Sequence, residues 1–456
     1  RSRSAAFFAN ATYSYKGRYT VNGTARYEGT NRMGKSRSAR WLPTWNVSGA
    51  WNAHEEKFFS NLTSVLSHFT LKASYSLTAD RGPADVTNSQ AIITSYSPYR
   101  PFTSIQESGL YIKELENSEL TYEKKHELNI GADMGFLNNR INLAVDWYKR
   151  NNYDLIGIVN TQGAGGQILK YANIASMKSH GIEFTLSTKN IKTKDFNWNT
   201  DFIFSNAKNE VTDLKQNANV MELISGNGFA KQGYPVRGLF SIPFVGLDKD
   251  GIPVIINEKG EATSTDINFQ ERQNTGFLKY EGPTDPTITG SLGNMFSYKG
   301  FRLNLFITYS FGNVIRLNPV FKAYYSDLTA MTREFKNRWT LPGDEAKTNV
   351  PAILSKRMYD SNEDLKYAYN AYNYSTERIA KGDFIRLKEI SLAYDFPKAW
   401  INPLKLTDLS LKVQATNLFL IYADDKLNGQ DPEFFNAGGV ASPVPRQFTI
   451  TLRLGL

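Results

Sequence analysis

The sequence contains no cysteine, which excludes disulfide bonds, thiolate metal sites and cysteine nucleophiles. It has only four histidines, His54, His68, His126 and His180, and their spacing matches no metal-binding or catalytic-triad pattern. No nucleophile elbow or zinc-protease motif is present either. We therefore expect a protein that is not an enzyme, and we expect no metal ion or other cofactor.

Long hydrophobic runs and clusters of basic residues are also missing. Without a run of about 18 apolar residues, the chain has no candidate for a transmembrane helix. The formal net charge is +9, but lysine and arginine are scattered along the chain, so nucleic-acid binding is not expected. The sequence begins at Arg1 without an initiator methionine or signal peptide, and we expect that an N-terminal part precedes it.

Many segments of the sequence alternate between apolar and polar residues. Phe301, Leu303, Leu305 and Ile307 occupy every second position, with the polar residues Arg302 and Asn304 between the first three, which is typical of a strand with two different faces. The pattern recurs in too many segments for one soluble sandwich, and its polar faces carry charges that must contact water. Aromatic residues make up 13% of the chain and tend to lie at strand ends, as membrane interfaces require. These features predict an all-β, antiparallel transmembrane β-barrel.

We predict about thirteen membrane-spanning strands, each near the length that a tilted crossing needs. Their predicted ranges are 6–16, 18–29, 44–53, 68–79, 122–136, 139–151, 173–189, 195–206, 285–299, 300–312, 383–396, 407–417 and 445–456. Within 383–396 the apolar phase switches between Leu387 and Ile390, which predicts a β-bulge near Lys388 and Glu389.

The connections between these strands alternate between tight turns and long segments. Outer-membrane barrels have short periplasmic turns and long external loops, so we assign the long segments to the outside: 30–43, 80–121, 152–172, 207–284, 313–382 and 418–444. Residues 1–456 are then the C-terminal portion of one barrel domain. An open sheet would leave unpaired backbone groups in lipid, so both of its edges need further strands, either on the same polypeptide or on a separate chain.

Several segments, in order along the chain, resemble the SusC/RagA-like, TonB-dependent outer-membrane transporters. The first is Arg26–Lys35, which is similar to the family's R-x-D-G-S-S-R-F-G segment. The others are Ser48–Trp51, Leu71–Tyr75, Glu123–Arg140, Met177–Glu183, Lys381–Ile390, Asn417–Phe419, Asp431–Glu433 and Pro443–Arg446. The resemblance extends over the whole chain.

This resemblance implies a barrel of 22 strands in the outer membrane of a Gram-negative bacterium, with the plug domain and the first strands outside this chain. It also implies three partners: the plug, TonB acting through a plug segment, and a SusD-like surface lipoprotein. The implied function is TonB-dependent import of oligomeric nutrients, with glycans as the usual cargo and oligopeptides as the alternative. A passive channel or a structural scaffold of a surface complex is the competing hypothesis.

Candidate binding residues are of two kinds. External aromatic side chains could contact cargo or the lipoprotein, or could simply pack the loops: Tyr96, Tyr99, Phe102, Tyr111, Tyr324, Tyr325, Tyr359, Tyr367, Tyr369, Tyr372, Tyr374, Phe434 and Phe435. Charged residues on the polar strand faces are expected to hydrate the bore and anchor the plug: Arg26, Lys72, Asp133, Asp146, Glu183, Arg302, Lys412 and Arg453.

One acidic segment needs separate consideration. Asp248 and Asp250 begin a segment that is similar to a calcium-binding loop, but Ile252 and Lys259 occupy its fifth and twelfth positions, where oxygen ligands are required. A tight hairpin turn is expected there instead of a calcium site.

Overall fold

The computed structural model describes residues 3–82, 90–99, 101, 107–163, 168–320, 332–435 and 445–456. Its strands are β1 (Ser4–Tyr15), β2 (Tyr19–Thr30), β3 (Trp41–Asn52), β4 (Leu66–Asp80), β5 (Ile92–Tyr96), β6 (Gly109–Glu114), β7 (Glu123–Phe136), β8 (Ile141–Asn160), β9 (Leu169–Lys192), β10 (Phe196–Leu214), β11 (Gly238–Ser241), β12 (Phe244–Leu247), β13 (Pro253–Ile256), β14 (Ala262–Thr263), β15 (Lys279–Pro283), β16 (Ile288–Tyr298), β17 (Phe301–Phe311), β18 (Val314–Arg316), β19 (Ile379–Lys381), β20 (Phe384–Asp395), β21 (Asp408–Ala423) and β22 (Gln447–Gly455).

Helices are few and short. They are α1 (Arg37–Arg40), α2 (Val220–Ile224), α3 (Lys356–Ser361), α4 (Leu365–Asn373) and α5 (Lys398–Ile401), and short 3₁₀ helices occur elsewhere in the described chain. In the described part of the chain, no helix is both long enough and apolar enough to cross a membrane.

Thirteen of the strands form one sheet in the order β1-β2-β3-β4-β7-β8-β9-β10-β16-β17-β20-β21-β22. The tight turns lie where the sequence predicts them. Lys16 and Gly17 have φ values of 51° and 71°, and Lys299 and Gly300 have φ values of 45° and 90°. Lys299 and Gly300 form a two-residue hairpin turn, which needs positive φ values. The three-residue connection between Tyr15 and Tyr19 has the same backbone conformation at two of its positions.

The predicted bulge in β20 is confirmed. Phe306 pairs with Glu389, and the next residue of β17, Ile307, pairs with Leu387. Lys388 is therefore the extra residue that has no partner across the ladder, and this insertion explains the change of apolar phase in the sequence.

Four strands extend well into segments predicted as loops, and one of them is β21, which continues to Ala423. β8 continues to Asn160, β9 begins at Leu169, and β10 continues to Leu214. Much of the segment predicted as the loop 152–172 is therefore strand, as is the beginning of 207–284. The apolar alternation on which the prediction rests is weaker there, but backbone pairing does not depend on that alternation.

Contacts divide the chain into two compact units, which are described separately. Unit 1 comprises Arg1–Glu183 and Lys208–Gln216, and unit 2 comprises Phe184–Ala207 and Asn217–Leu456. The assignment of residues 1–456 to a single barrel domain stays a prediction.

The long segments of unit 2 contain ordered structure. They carry the pairs β11–β15 and β18–β19 and the three-stranded sheet β12–β13–β14. Two hydrophobic clusters support these elements. One includes Val220, Ile224, Phe240 and Ile242, and the other is built around α4. These segments are therefore folded subdomains with their own cores, where the sequence predicted only loops.

Candidate functional site

The sheet of unit 1 has one polar and one apolar face. Residues that pair directly across antiparallel strands point to the same face. Lys72 pairs with Gly131, which pairs with Asp146, and the Lys72 ammonium lies 2.7 Å from the Asp133 carboxylate. An open recess of about 310 Å³ lies on this face, where Thr20, Asn22, Ser48, Lys72, Ser74, Asn129 and Asp146 contribute to its lining.

The predicted bore-facing charges of unit 2 also share the polar face of their strands. Arg302 pairs with Ala393, which pairs with Lys412. Each of these charges has an acidic neighbour: the Arg302–Asp395 distance is 2.8 Å, Lys412–Glu389 is 3.9 Å and Arg453–Asp408 is 3.6 Å. In unit 1, Arg26 pairs with Glu28, while Glu183 is exposed in β9. That these residues face a bore and a plug stays a prediction.

The first family-like segment, Arg26–Lys35, has a structural role. Met33 is fully buried against Leu120 and Tyr122, and the Gly34 N–H donates to the Leu120 carbonyl at 2.8 Å. A side chain at Gly34 would collide with the backbone of Ser118. The segment therefore holds residues 117–122 against the end of the sheet.

Two of the predicted ligand-contacting tyrosines are buried, which corrects that prediction. Tyr369 and Tyr372 are only 1% and 2% exposed. They lie on the inner face of α4 with Leu365 and Ala368, because residues three and four apart share a helix face. The Tyr369 hydroxyl donates to the Ala352 carbonyl at 2.9 Å. Burial raises the pKa of both phenols, that of Tyr372 to about 12.

Three further aromatic candidates pack at least partly against other residues of this chain. The Arg316 guanidinium lies 5.9 Å from the centre of the Tyr374 ring. Phe435 packs against a cluster that contains Ile315 and Leu427. Tyr359 packs beside the cluster around α4. Phe434 is half-buried, and Phe102, Tyr324 and Tyr325 lie outside the described residues.

The candidates that remain available are mainly in the hairpin β5–β6. The Tyr96 and Tyr111 rings meet edge to face at a centroid distance of 5.6 Å, and both are exposed. Tyr99, just beyond β5, is 90% exposed. Tyr367, on the outer face of α4, is partly exposed and lies near Phe269. These side chains form the candidate contact surface.

No local sequence pattern indicated the buried ion pairs in unit 2. Arg386 donates to the Asp431 carboxylate at 2.5 Å, and Glu433 lies 2.8 Å from the same nitrogen. We call this group the Arg386 clasp. Both partners belong to family-like segments, but their separation of 45 residues follows no local pattern. The clasp fixes residues 431–433 against the polar face of β20.

Arg316 is a second arginine that sequence reasoning missed. Its guanidinium donates to the carbonyls of Ser375, Ile224 and Phe240. Burial lowers its pKa to about 9, which still leaves the group charged at neutral pH. Arg316 therefore ties together three backbone segments of unit 2, at Ile224, Phe240 and Ser375.

The Asp248 segment forms the expected turn. One Asp248 carboxylate oxygen accepts the N–H groups of Asp250 and Ile252 at 2.9 and 2.8 Å, and Gly251 has a φ of 75°. Within the described ranges, no group of three or more acidic or histidine side chains is arranged to hold a metal ion.

Comparison with known proteins gives consistent results. A family model described as a TonB dependent receptor-like β-barrel matches residues 1–418. The TonB-dependent receptor SusC of Bacteroides thetaiotaomicron is 26% identical over 100% of this chain and 44% of its own length. The TonB-dependent receptor P3 of Formosa agariphila is 25% identical over 93% of this chain and 41% of its own length. The chain thus spans less than half the length of these relatives.

The fold is similar to solved structures. The RagAB peptide transporter superposes with a TM-score of 0.78 at 23% identity, covering 99% of this chain and 47% of that one. The "open-open" state of the RagAB importer also gives 0.78, at 22% identity, over 100% of this chain and 47% of that one. The relatives are transporters and not enzymes, as expected for this chain. This chain belongs to the TonB-dependent receptor β-barrel family, whose members are Gram-negative outer-membrane proteins, and within it resembles the SusC and RagA receptors.

Proposed function

We propose that the protein containing this chain imports oligomeric nutrients through the outer membrane, with energy supplied by TonB and with a SusD-like lipoprotein at the cell surface. The observation that carries the proposal is the pair of exposed rings, Tyr96 and Tyr111, in a segment predicted to be external. Aromatic faces can stack on sugar rings, and glycans are therefore the first cargo class. Oligopeptides are the second, because a similarly folded protein is a peptide transporter.

The barrel is completed by strands outside this chain. In the described sheet, β1 pairs with β2 alone and β22 pairs with β21 alone. Unpaired strand edges cannot be left in hydrocarbon. We assign nine further strands and a plug domain to the rest of the polypeptide, in agreement with a chain that matches less than half of its relatives.

The test is uptake of defined glycans and peptides by cells that express the full-length protein. Tyr96→Ala with Tyr111→Ala should reduce uptake of the cognate class without changing the amount of protein in the membrane. The control is Tyr422→Ala, which removes another exposed tyrosine, on β21. Uptake that persists in a strain without TonB would favour the passive channel. If the tyrosine variant loses peptide uptake but keeps glycan uptake, peptides and not glycans are the cargo class.

A further inference from the structure

The apolar face of unit 1 carries two lysines, Lys149 and Lys124, and Lys124 lies over the Tyr153 ring, 5.8 Å from its centre. Lys149 pairs with Leu128, and Leu128 pairs with Tyr75. These three side chains therefore share one face, which is also the face of the exposed Trp147 and Ile130. The ion pair of Lys72 and Asp133 lies on the opposite face. In a membrane barrel of this family, the face of Lys149 is turned toward lipid.

The position of Lys149 along β8 places it near the edge of the membrane. It follows Ile141, the first residue of β8 after a tight turn, by eight residues. With a rise of about 3.3 Å per residue and a tilt of about 40°, this puts it about 20 Å above the turn. The apolar band of an outer-membrane barrel is about 25 Å tall. With the tight turns on the periplasmic side, Lys149 lies at the outer-leaflet boundary.

Lys149 differs from its neighbours because it has no acidic partner. The Lys124 ammonium lies 2.6 Å from Asp154, and that of Lys125 lies 2.8 Å from Glu127. Among the residues that the structure describes, no carboxylate contacts Lys149, which is exposed. A charge on the lipid-facing side of a barrel is destabilising in proportion to its depth, so an anion from the membrane is the partner that this position lacks.

A group of stacked rings, which we call the ring cluster, adjoins Lys149. The His126 ring stacks between Tyr75 and Tyr153, with centroid distances of 5.7 Å to each. Trp45 meets Tyr75 edge to face at 5.4 Å. His126 pairs with Asn151, two residues beyond Lys149, so the cluster lies on the same face. Amphipathic rings are favoured at headgroup level, and their faces suit the C–H groups of a sugar.

We infer that Lys149, Asn151 and the ring cluster form a binding site for the phosphorylated sugar headgroup of an outer-leaflet glycolipid. Lys149 supplies the charge for a phosphate, and Asn151 supplies hydrogen-bonding groups. The ring cluster gives the sugar a flat surface. The outer leaflet is chosen because Lys149 lies about 20 Å from the tight turn, close to the far limit of the apolar band.

The test uses the full-length protein, purified in mild detergent, stripped of lipid and examined by native mass spectrometry. Three probes are added in turn: lipid A with its phosphates, dephosphorylated lipid A and phosphatidylglycerol. Wild type should retain phosphorylated lipid A in preference to both others. Lys149→Gln should lower that retention about fivefold, the effect of removing one lysine from an anionic surface. Lys149→Arg should preserve it.

Two control variants distinguish a specific lipid-binding site from nonspecific attraction of anionic lipids to the protein. Lys125→Gln removes a lysine of the same region that points to the polar face and is paired with Glu127, and it should leave retention unchanged. Tyr153→Ala should reduce retention of phosphorylated lipid A while leaving phosphatidylglycerol unaffected. Equal retention of dephosphorylated lipid A or of phosphatidylglycerol, or an unchanged Lys149→Gln variant, would overturn the inference.

Discussion

Arg386 and Asp431 form a nearly buried ion pair that joins a strand of the sheet to a loop. The side chains are 5% and 10% exposed, whereas Glu433, the second acidic partner of Arg386, is 39% exposed. The Asp424 carboxylate, a few residues earlier, accepts the Lys381 N–H at 2.8 Å. The loop from 424 to 433 is thus held at two points, and the Arg386 clasp is the more deeply buried of them.

Removing Asp431 should release this loop. Asp431→Ala leaves the Arg386 guanidinium buried with only its weaker partner, and removing one member of a buried pair costs about 3 kcal/mol. Hydrogen exchange of residues 424–433 in the full-length protein should accelerate accordingly. Glu433→Gln is the matched control and should cost about 1 kcal/mol or less, since that side chain is more exposed. Equal effects of the two variants would contradict the clasp.

The tyrosines of α4 and of the hairpin β5–β6 should respond oppositely to truncation. Tyr372→Ala removes a buried ring from the cluster around α4. It should lower the free energy of unfolding of the subdomain that contains α4 by about 3 kcal/mol. Limited proteolysis across a denaturant series measures this change. Tyr96→Ala should leave the proteolysis profile unchanged and lower cargo uptake. If Tyr96→Ala proved the more destabilising, the packing assignment would be wrong.

The subdomain that contains α4 should become less stable as the pH rises above 10. Burial raises the pKa of Tyr372 from 10.0 to about 12, so the unfolded chain releases its proton first as pH rises. The stabilisation by Tyr372 is complete below pH 10 and is lost between about pH 10 and pH 12. Tyr372→Phe should make this part of the stability profile less steep, as followed by proteolysis at each pH; the remaining slope comes from Tyr369, whose pKa burial also raises. A variant with the wild-type profile would show that Tyr372 is not the responsible group.

Two glycines in similar turns provide a matched comparison. Gly251 and Gly260 have φ values of 75° and 81°, so alanine is strained at both, by about 1 kcal/mol. A side chain at Gly251 would also lie 2.5 Å from the Trp339 ring, whereas nothing surrounds Gly260. Gly251→Ala should therefore cost at least about 1 kcal/mol more than Gly260→Ala. Denaturant-dependent proteolysis of the two variants gives the difference, and equal costs would show that Trp339 moves aside freely.

The membrane-spanning strands could be predicted because lipid imposes a strict pattern on them. The Phe301 to Ile307 row and the phase change around Lys388 follow from which side chains meet hydrocarbon. The ends of β8, β9 and β10 could not be located, because the alternation of apolar and polar residues is weaker there. Pairing continues there through the backbone, which carries no sequence signal.

The candidate site was only partly predictable. An amphipathic helix is indicated by the spacing of Leu365, Ala368, Tyr369 and Tyr372. The many tyrosines of the surrounding segment are equally typical of a binding loop, so the two interpretations compete. The Arg386 clasp is different in kind. Its partners are distant in sequence and meet only through the sheet, so no local pattern could have joined them.

The extension of β8 and β9 beyond a single crossing has a consequence for where cargo is first met. A crossing needs about 11 residues, while these strands have 20 and 24. Under the outer-membrane topology proposed above, the surplus of about 9 residues or more, at about 3.3 Å each, would extend these two strands beyond the lipid headgroups. A polymer approaching from outside would then contact the paired strands before it reached the membrane surface.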